Sequence, residues 1–341
     1  MTSTNIQLNS NSRTKNYTYF NTLAQPDTNF KIKGTARDET LLKRSTRKQF
    51  TQRITAELLQ LDSKLHKQYQ RAYYCCNGLQ QQGKTIKTTN DYCNSRVCLV
   101  CNSIRTAKLI NGYGKQLESE KQYFCTLTIV SVKQSELQKT IEQMTKHFGL
   151  ILKLIRQKKG LKPDGIRRLE ITYNKTEDTY HPHFHFLVNC EESAMLIKLQ
   201  WMKRYPSVIW GAQDIQVATE GTLTEIFKYS TKFAIKEIRE QKEHYEIHIP
   251  SLDVIFCAMN GKRTVQPFGK YVKEKISEDV TKEDVQEKEY NVEPRAYAKF
   301  EWNGHDWFEI FSNEALSGAK PLKAEFHFYK KKTPEQMVLI I

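Results

Sequence analysis

The chain has 341 residues, 39% of them hydrophobic and 11% aromatic, which is material for two or three packed domains. It contains no run of about eighteen apolar residues, which excludes a helix that spans a membrane. The formal net charge is +15, and residues 1–110 hold 18 Lys and Arg against 6 Asp and Glu, so most of the excess lies in the first third. A basic segment of this kind suits a polyanion, with DNA or RNA the first candidate.

Residues 1–38 are rich in Ser, Thr, Asn and Lys and lack apolar periodicity, so they are expected to form a flexible basic arm. They also lack the apolar core of a secretory leader, and the protein is expected to be cytoplasmic. From Glu39 to about Tyr74 the pattern is helical, with Ile54, Leu58, Leu61 and Leu65 on one face and Arg53, Lys64 and Lys67 on the others.

Eight cysteines without a leader read as metal ligands or free thiols rather than disulfides. Cys98-x-x-Cys101, with Cys93 just upstream and one of Cys75 or Cys76 as the fourth ligand, has the count of a closed tetrahedral zinc site. The spacing leaves open which of Cys75 and Cys76 binds. Cys125, Cys190 and Cys257 stand alone in apolar surroundings and read as free thiols.

Tyr123 to Val130 is β-branched and aromatic, as in a strand. A helix is expected from Ser135, with Leu137, Ile141, Met144, Phe148, Leu152 and Ile155 inward and Gly160 and Pro163 ending it. Arg168–Asn174 reads as a strand, followed by a polar turn over Lys175–Tyr180. Next comes His181-Pro182-His183-Phe184-His185-Phe186-Leu187-Val188, which alternates with period two. One face of such a strand carries Phe184 and Phe186 into a core. The other holds His183 and His185 about 6–7 Å apart, pointing the same way. If the hairpin is symmetric about its turn, Glu170 sits opposite His185 and Thr172 opposite His183, on that same face. Two imidazoles and a carboxylate suit a divalent ion with open positions, Mg2+ or Mn2+, better than a closed structural site. A slip of one residue would move Glu170 to the opposite face.

Helices are expected over Glu191 to about Tyr205 and Leu223 to about Arg239, with a strand over Ile209–Val217 between them. Thr222 and Glu225 have capping-box spacing at the start of the second helix. Glu225, Tyr229, Lys232 and Lys236 fall on one stripe of it, which suits phosphate-ester chemistry: a tyrosine can attack phosphorus and lysines can hold phosphate oxygens. Residues 273–293 hold 8 Asp and Glu against 4 Lys and Arg and read as a linker or surface segment. Tyr297–Phe311 reads as a hairpin turning at Asn303-Gly304. The elements together imply an α+β fold: a central antiparallel-rich sheet with packed helices, preceded by a helical and zinc-binding segment. The expected divisions are the arm 1–38, a helical and Cys-rich DNA-binding segment 39–118, a catalytic domain 119–240 and a C-terminal region 241–341.

His183-Phe184-His185 within its histidine-rich strand, and Lys228-Tyr229-Ser230-Thr231-Lys232, resemble the metal and nucleophile motifs of the HUH endonucleases. The closest likeness is to replication initiators of bacterial rolling-circle plasmids. Phe124-Cys125-Thr126-Leu127-Thr128 resembles their first motif, the cysteine segment with Arg96 and Arg105 their cysteine-rich segment, and Gly261-Lys262-Arg263 with Phe268-Gly269 a basic stretch that follows. The likeness covers roughly Cys75 to Tyr271. It implies nicking of one strand at a plasmid origin, with Tyr229 becoming linked to the 5′ phosphate and His183 and His185 holding the metal. In one branch of the family a Glu one turn before the Tyr directs water in the terminating cut, and Glu225 matches it. Lys232 would assist the catalytic Tyr229, and Glu170 is the further metal ligand on geometry. No second Tyr lies one turn from Tyr229, which favours a water-terminated cycle. The expected partners are origin DNA and a host helicase. The rival readings are a single-tyrosine transposase or conjugative relaxase of the same chemistry, and a non-catalytic DNA-binding regulator.

Overall fold

The computed structural model describes residues 38–219, 226–227, 235–239, 242–274, 290–323 and 325–329. The expected N-terminal arm, apart from Asp38, and most of the acidic stretch lie outside these residues, as do Glu225, Tyr229 and Lys232.

The fold is α+β, as the order of elements implied. Helix α1 (Glu39–Leu58) starts at Asp38, whose carboxylate accepts from the backbone N–H groups of Thr40 and Leu41 at 2.7 and 3.2 Å. That side chain satisfies amides which the first turn leaves without helical partners. The expected single helix to Tyr74 is instead two, α1 and α2 (His66–Tyr73). Leu61 and Leu65 keep the apolar spacing but sit in and at the end of the connection. There Ser63 Oγ accepts from the Leu65 N–H at 3.1 Å, a local side-chain bond that competes with helix continuation.

Two short strands follow, β1 (Gly78–Gly83) and β2 (Thr85–Thr88), and then α3 (Leu99–Glu118). The central sheet contains β3 (Tyr123–Thr128), β4 (Gly165–Asn174), β5 (Thr179–Val188), β6 (Asp214–Val217) and β9 (Val265–Phe268), in the order β6-β3-β5-β4-β9, all antiparallel. Helix α4 (Gln134–Lys159) connects β3 to β4 and ends at Gly160, whose φ of +67° closes it in a conformation that costs glycine little. Helix α5 (Glu191–Arg204) follows β5.

One face of this sheet is dry. Phe184 and Phe186 point from β5 at Phe148 of α4, with ring centroids 5.6 Å apart in both pairs, and Phe268 of β9 meets the same ring at 5.6 Å. Arg167 lies over the rings of Phe184 and Phe148 at 4.3 and 5.2 Å and donates to Gln266 Oε1 at 2.9 Å. Burial lowers its pKa to about 10. Gly165 opens β4 because a Cβ there would meet the Leu187 carbonyl oxygen at 2.0 Å, so only glycine lets β4 and β5 close at that point.

Two expectations fail beyond α4. The strand expected from Ile209 is confined to Asp214–Val217, because Trp210–Ala212 forms a short 3-10 turn ahead of it. The helix expected to run to Arg239 does not do so. Ile235–Arg239 is strand β7, paired antiparallel with β8 (Lys242–His248), so Lys236 does not share a helical stripe with Tyr229. The i, i+3 spacing of Ile235 and Ile238 is itself helical, and it is pairing with β8 that makes this segment a strand. Helix α6 (Ile249–Met259) follows, capped by His248 Nδ1, which accepts from the Ser251 N–H at 3.2 Å. Strand β12 (Glu325–Tyr329) adds to β8 in parallel.

The expected C-terminal hairpin is present as β10 (Arg295–Trp302) and β11 (Trp307–Glu309), with Trp302 opposite Trp307. β10 also pairs with β1, which ties the Cys-rich segment to the C-terminal region in one sheet. Likewise β9 pairs with β4, bringing residues beyond 240 into the central sheet. Among the described residues no helix is long and apolar enough to cross a membrane.

The Phe148 ring is the hub of the dry face. Phe148→Ala is expected to destabilise the fold by roughly 3–5 kcal/mol. Leu150→Ala, two residues away but 44% exposed, should change stability by less than about 0.5 kcal/mol. Denaturant unfolding of the two variants measures the contrast, and equal losses would place the hub elsewhere.

Candidate metal centres

The opposite face of the sheet is polar where it carries the histidines. The strand register is Glu170 opposite His183, Arg168 opposite His185 and Thr172 opposite His181. Symmetry about a six-residue turn gives Glu170 opposite His185 instead. The turn is tighter, because Asn174 pairs with Thr179 and leaves only Lys175–Asp178 in the loop, with Asp178 at φ +49°. The register therefore shifts by two residues, an even number, and every side chain keeps its face.

Ligand atoms of Glu170, His183 and His185 all lie within 4.8 Å of one another, and the three residues are 7–8% exposed. The imidazoles are edge to face, with centroids 4.9 Å apart. His183 Nδ1 lies 3.0 Å from the carbonyl oxygen of His181. That oxygen can only accept, so Nδ1 carries the proton and Nε2 is the nitrogen that could ligate an ion. His185 Nδ1 is 3.1 Å from Thr126 Oγ1, and its Nε2 is 3.6 Å from Glu170 Oε2. Arg168 reaches the same carboxylate oxygen at 3.3 Å from its buried position, 2% exposed. The set fits a hard divalent ion: two neutral imidazoles, one carboxylate, positions left for water or phosphate, and partners that fix both rings.

His181 is stacked on His183 at 5.2 Å, and burial, then the neighbouring His183, lowers its pKa to about 4. It supplies its carbonyl to the cluster and stays neutral at physiological pH. Arg168 and Thr126 belong to the cluster without standing out in the sequence. Arg168 precedes Glu170 by two, so period two alone places it on the same face. Thr126 needs the β3–β5 register, in which it faces His185.

The second group is thiolate. Sγ atoms of Cys75, Cys93, Cys98 and Cys101 lie within 4.8 Å of one another, all four buried. Cys75–Cys101 and Cys93–Cys101 are 3.6 and 3.5 Å apart. Four sulfurs around one zinc at ~2.3 Å stand ~3.8 Å apart, so the cage has the right size. Backbone N–H groups of Ser95 and Cys101 donate to Cys93 and Cys98 sulfur at 3.5 Å each. Cys98 is also the N-cap of α3, so the knuckle is built into the helix start.

The open choice between Cys75 and Cys76 resolves geometrically. Cys76 turns away through a backbone φ of +58°, and its sulfur receives a guanidinium N–H from Arg44 at 3.6 Å. Contact with Cys101 pulls the Cys75 thiol well down, whereas contact with Cys75 and burial push Cys76 up.

Helix α3 connects the two groups. Its Tyr113 stacks on Phe227 at 6.2 Å, and Thr106 Oγ1 donates to the Phe227 carbonyl at 3.0 Å. Ile226 and Phe227 are buried with Phe124 and Leu187 on the histidine side of the sheet, and Phe124 stacks on His185 at 5.4 Å. Phe227 is two residues before Tyr229.

An α+β chain with a His–His–Glu cluster on its central sheet and a buried four-cysteine knuckle beside it is a protein built around two candidate metal centres. A family model described as "Replication protein" matches residues 84–205, which include three of the four cysteines and all of the imidazole strand. A Staphylococcus aureus protein rep is 32% identical over 160 residues, 41% of this chain and 69% of that relative. The chain belongs to the Rep replication-protein family. A Streptococcus pneumoniae protein rep is 32% identical over 109 residues, 30% of this chain, and a Bacillus sp. protein rep is 36% identical over 116 residues, 32% of this chain. These alignments span only 34% and 37% of those two relatives. No solved structure matches the chain.

The cysteine geometry makes a separable expectation. Cys75→Ser should lose about one bound metal per chain and most of the fold's stability, whereas Cys76→Ser should keep the metal. Elemental analysis of both purified variants tests this, and equal metal content in the two would overturn the choice of Cys75.

Proposed function

We propose that this chain is a rolling-circle plasmid replication initiator, a cytoplasmic HUH-type enzyme that nicks one strand at the plasmid's origin. The observation that carries the reading is the placement of Glu170, His183 and His185 beside the buried Ile226–Phe227 turn, which leads directly into Lys228-Tyr229. Family membership supplies replication as the setting. A regulator that only bound DNA would need neither an open divalent site nor a tyrosine two residues along the chain from the turn beside it. A transposase or relaxase would share this chemistry, and the Rep relatives favour replication over both.

Glu170, His183 and His185 would hold Mg2+ or Mn2+, and Cys75, Cys93, Cys98 and Cys101 a structural zinc. The divalent ion supplies Lewis-acid polarisation of the scissile phosphate. Arg168 and the His181 carbonyl hold the carboxylate and one imidazole in place. Tyr229 gives up its proton, its oxygen bonds to phosphorus, and the bond from phosphorus to the 3′ oxygen breaks. The 3′ oxygen takes a proton, becoming a primer end, and the 5′ phosphate stays on the tyrosine. One phosphoester is exchanged for another, so the step needs no external energy source. Lys232 is suited to holding phosphate oxygens, and Glu225 to accepting a proton from the water that makes the second cut. Origin DNA and a host helicase are the partners of this cycle.

His183→Ala should abolish nicking of supercoiled origin plasmid while leaving duplex binding largely intact. Tyr229→Phe should lose both the first cut and the covalent protein–DNA product. Full Mg2+-dependent cleavage by either variant would sink the assignment.

Termination separates further. Glu225→Gln should form the covalent first product normally but slow release of single-stranded circles by about 100-fold or more, the range of a general base. A plasmid carrying two origins reports both steps. Normal circle release would leave Glu225 a helix-capping residue, since Gln preserves a cap.

A further inference from the structure

A cleft of about 240 Å³ lies between α2, the cysteine knuckle and the loop from α6 to β9, and the 94–97 stretch between Cys93 and Cys98 forms part of its wall. Arg96 and Arg105 line it from the knuckle side, Gln68 and Tyr69 from α2, and Asn260 and Thr264 from the α6–β9 loop. No Asp or Glu is among its lining residues. Arg96 donates to the carbonyls of Met259 and Lys262, and Arg105 to Asn102 Oδ1 and, at 2.7 Å, to the Asn94 carbonyl. Each guanidinium has five N–H groups, and these bonds use two of each. Every acceptor named is uncharged. Two cations thus share one concave site with donors to spare. This is a repulsive arrangement that an anion relieves.

The cleft opens beside the metal-centre strands. Thr264 in its wall accepts at 2.7 Å from the N–H of Leu169, the residue before Glu170, and Val265 pairs with Arg168. Two strand spacings, about 10 Å, separate β9 from the histidine strand. We infer that the Arg96–Arg105 cleft binds a backbone phosphate of the single DNA strand that runs past the metal centre. The inference rests on the DNA-processing reading above. Guanidinium forks match phosphate oxygens in pairs, and the amides of Gln68 and Asn260, which bond each other at 3.3 Å through Gln68 Nε2 and Asn260 Oδ1, keep Gln68 Oε1 and Asn260 Nδ2 for an adjoining unpaired base. The cysteine knuckle holds both arginines, so it shapes the cleft wall.

The test needs neither cleavage nor added divalent ion, so its outcome is independent of the nicking experiments. Full-length protein with its resident metal is titrated into a fluorescein-labelled 12-nucleotide single strand, and anisotropy is followed across salt concentrations. Arg105→Ala should weaken binding by about ten-fold and flatten the log–log salt slope by ~0.7 for each phosphate that is no longer neutralised. Arg105→Lys, which keeps the charge but not the fork, should hold the wild-type salt slope while losing part of the affinity, less than Arg105→Ala loses. Gln68→Glu leaves both arginines in place and puts a carboxylate in the cleft, and it should lose as much as Arg105→Ala. Wild-type affinity and slope in Gln68→Glu would overturn the proposal, because a purely structural role for the arginines predicts that result. A loss confined to a hairpin duplex of the same composition would overturn it too.

Discussion

The pairing of β4 with β5 is the constraint on which the rest depends. Ten residue pairs hold Gly165–Asn174 against Thr179–Val188 in unbroken register. The loop sets that register. Asn174 Oδ1 accepts from the N–H groups of Thr176 and Glu177, Tyr173 donates to Asp178 at 2.8 Å, and Asp178 takes the left-handed conformation that closes a tight connection. One residue more or fewer in the loop would turn Glu170 into the Phe148 core and an isoleucine toward the histidines. The cost of burying that carboxylate in an apolar core guards the register. Chemistry on one face is therefore enforced by hydrophobicity on the other.

The histidine face is covered differently from the Phe148 face. Its cover is partial and comes from α3. This helix begins at a cysteine ligand, passes Thr106 and Tyr113, and ends near β3. A helix of 20 residues is about 30 Å long, so a single rigid element connects the thiolate cage to the Ile226–Phe227 turn. The cysteine knuckle thereby fixes the start of a helix whose far half packs beside the histidines.

Much of the site is legible in the sequence because its signal is local. Alternation in His181–Val188 marks the strand and the face, and an even register error leaves the face intact. The cysteine cluster is legible from count and spacing, but Cys75 and Cys76 differ only in a backbone dihedral that no adjacent residue announces. The helix expected over 223–239 misleads because its stripe, and the i, i+3 spacing of Ile235 and Ile238, satisfy period 3.6, whereas long-range pairing with β8 makes Ile235–Arg239 a strand. Arg168 is easily passed over because a cation two residues from a carboxylate reads as surface charge until both are buried. The role of α3 is illegible, since it depends on Phe227, more than a hundred residues from Thr106, and no periodicity encodes such a contact.

Helix α1 shows how the thiolate cage reaches into the sequence far from the cysteines. Its inward face carries Arg44, Ser45, Lys48, Gln49, Thr51 and Thr55 alongside Leu41, Ile54 and Leu58. Such a face is poorly made for an ordinary core, where unpaired polar groups are costly. Here it meets sulfur and backbone. Lys48 donates to the Cys75 carbonyl at 2.7 Å and to Asn77 at 2.6 Å, Arg44 to Tyr92 at 2.7 Å, and Thr51 accepts from the Leu99 N–H at 3.0 Å at the start of α3. Burial lowers Lys48 to about 8, while the surrounding cysteines oppose that fall. Four thiolates around a divalent cation would leave about two negative charges in a region of low polarity. Two buried cations on one helix face would offset that number. The apparent defect of α1, polar residues where apolar ones are expected, is then what lets this face meet the knuckle: its cations find the Cys76 sulfur, the Cys75 carbonyl, Asn77 and Tyr92 where an apolar face would leave them unpaired.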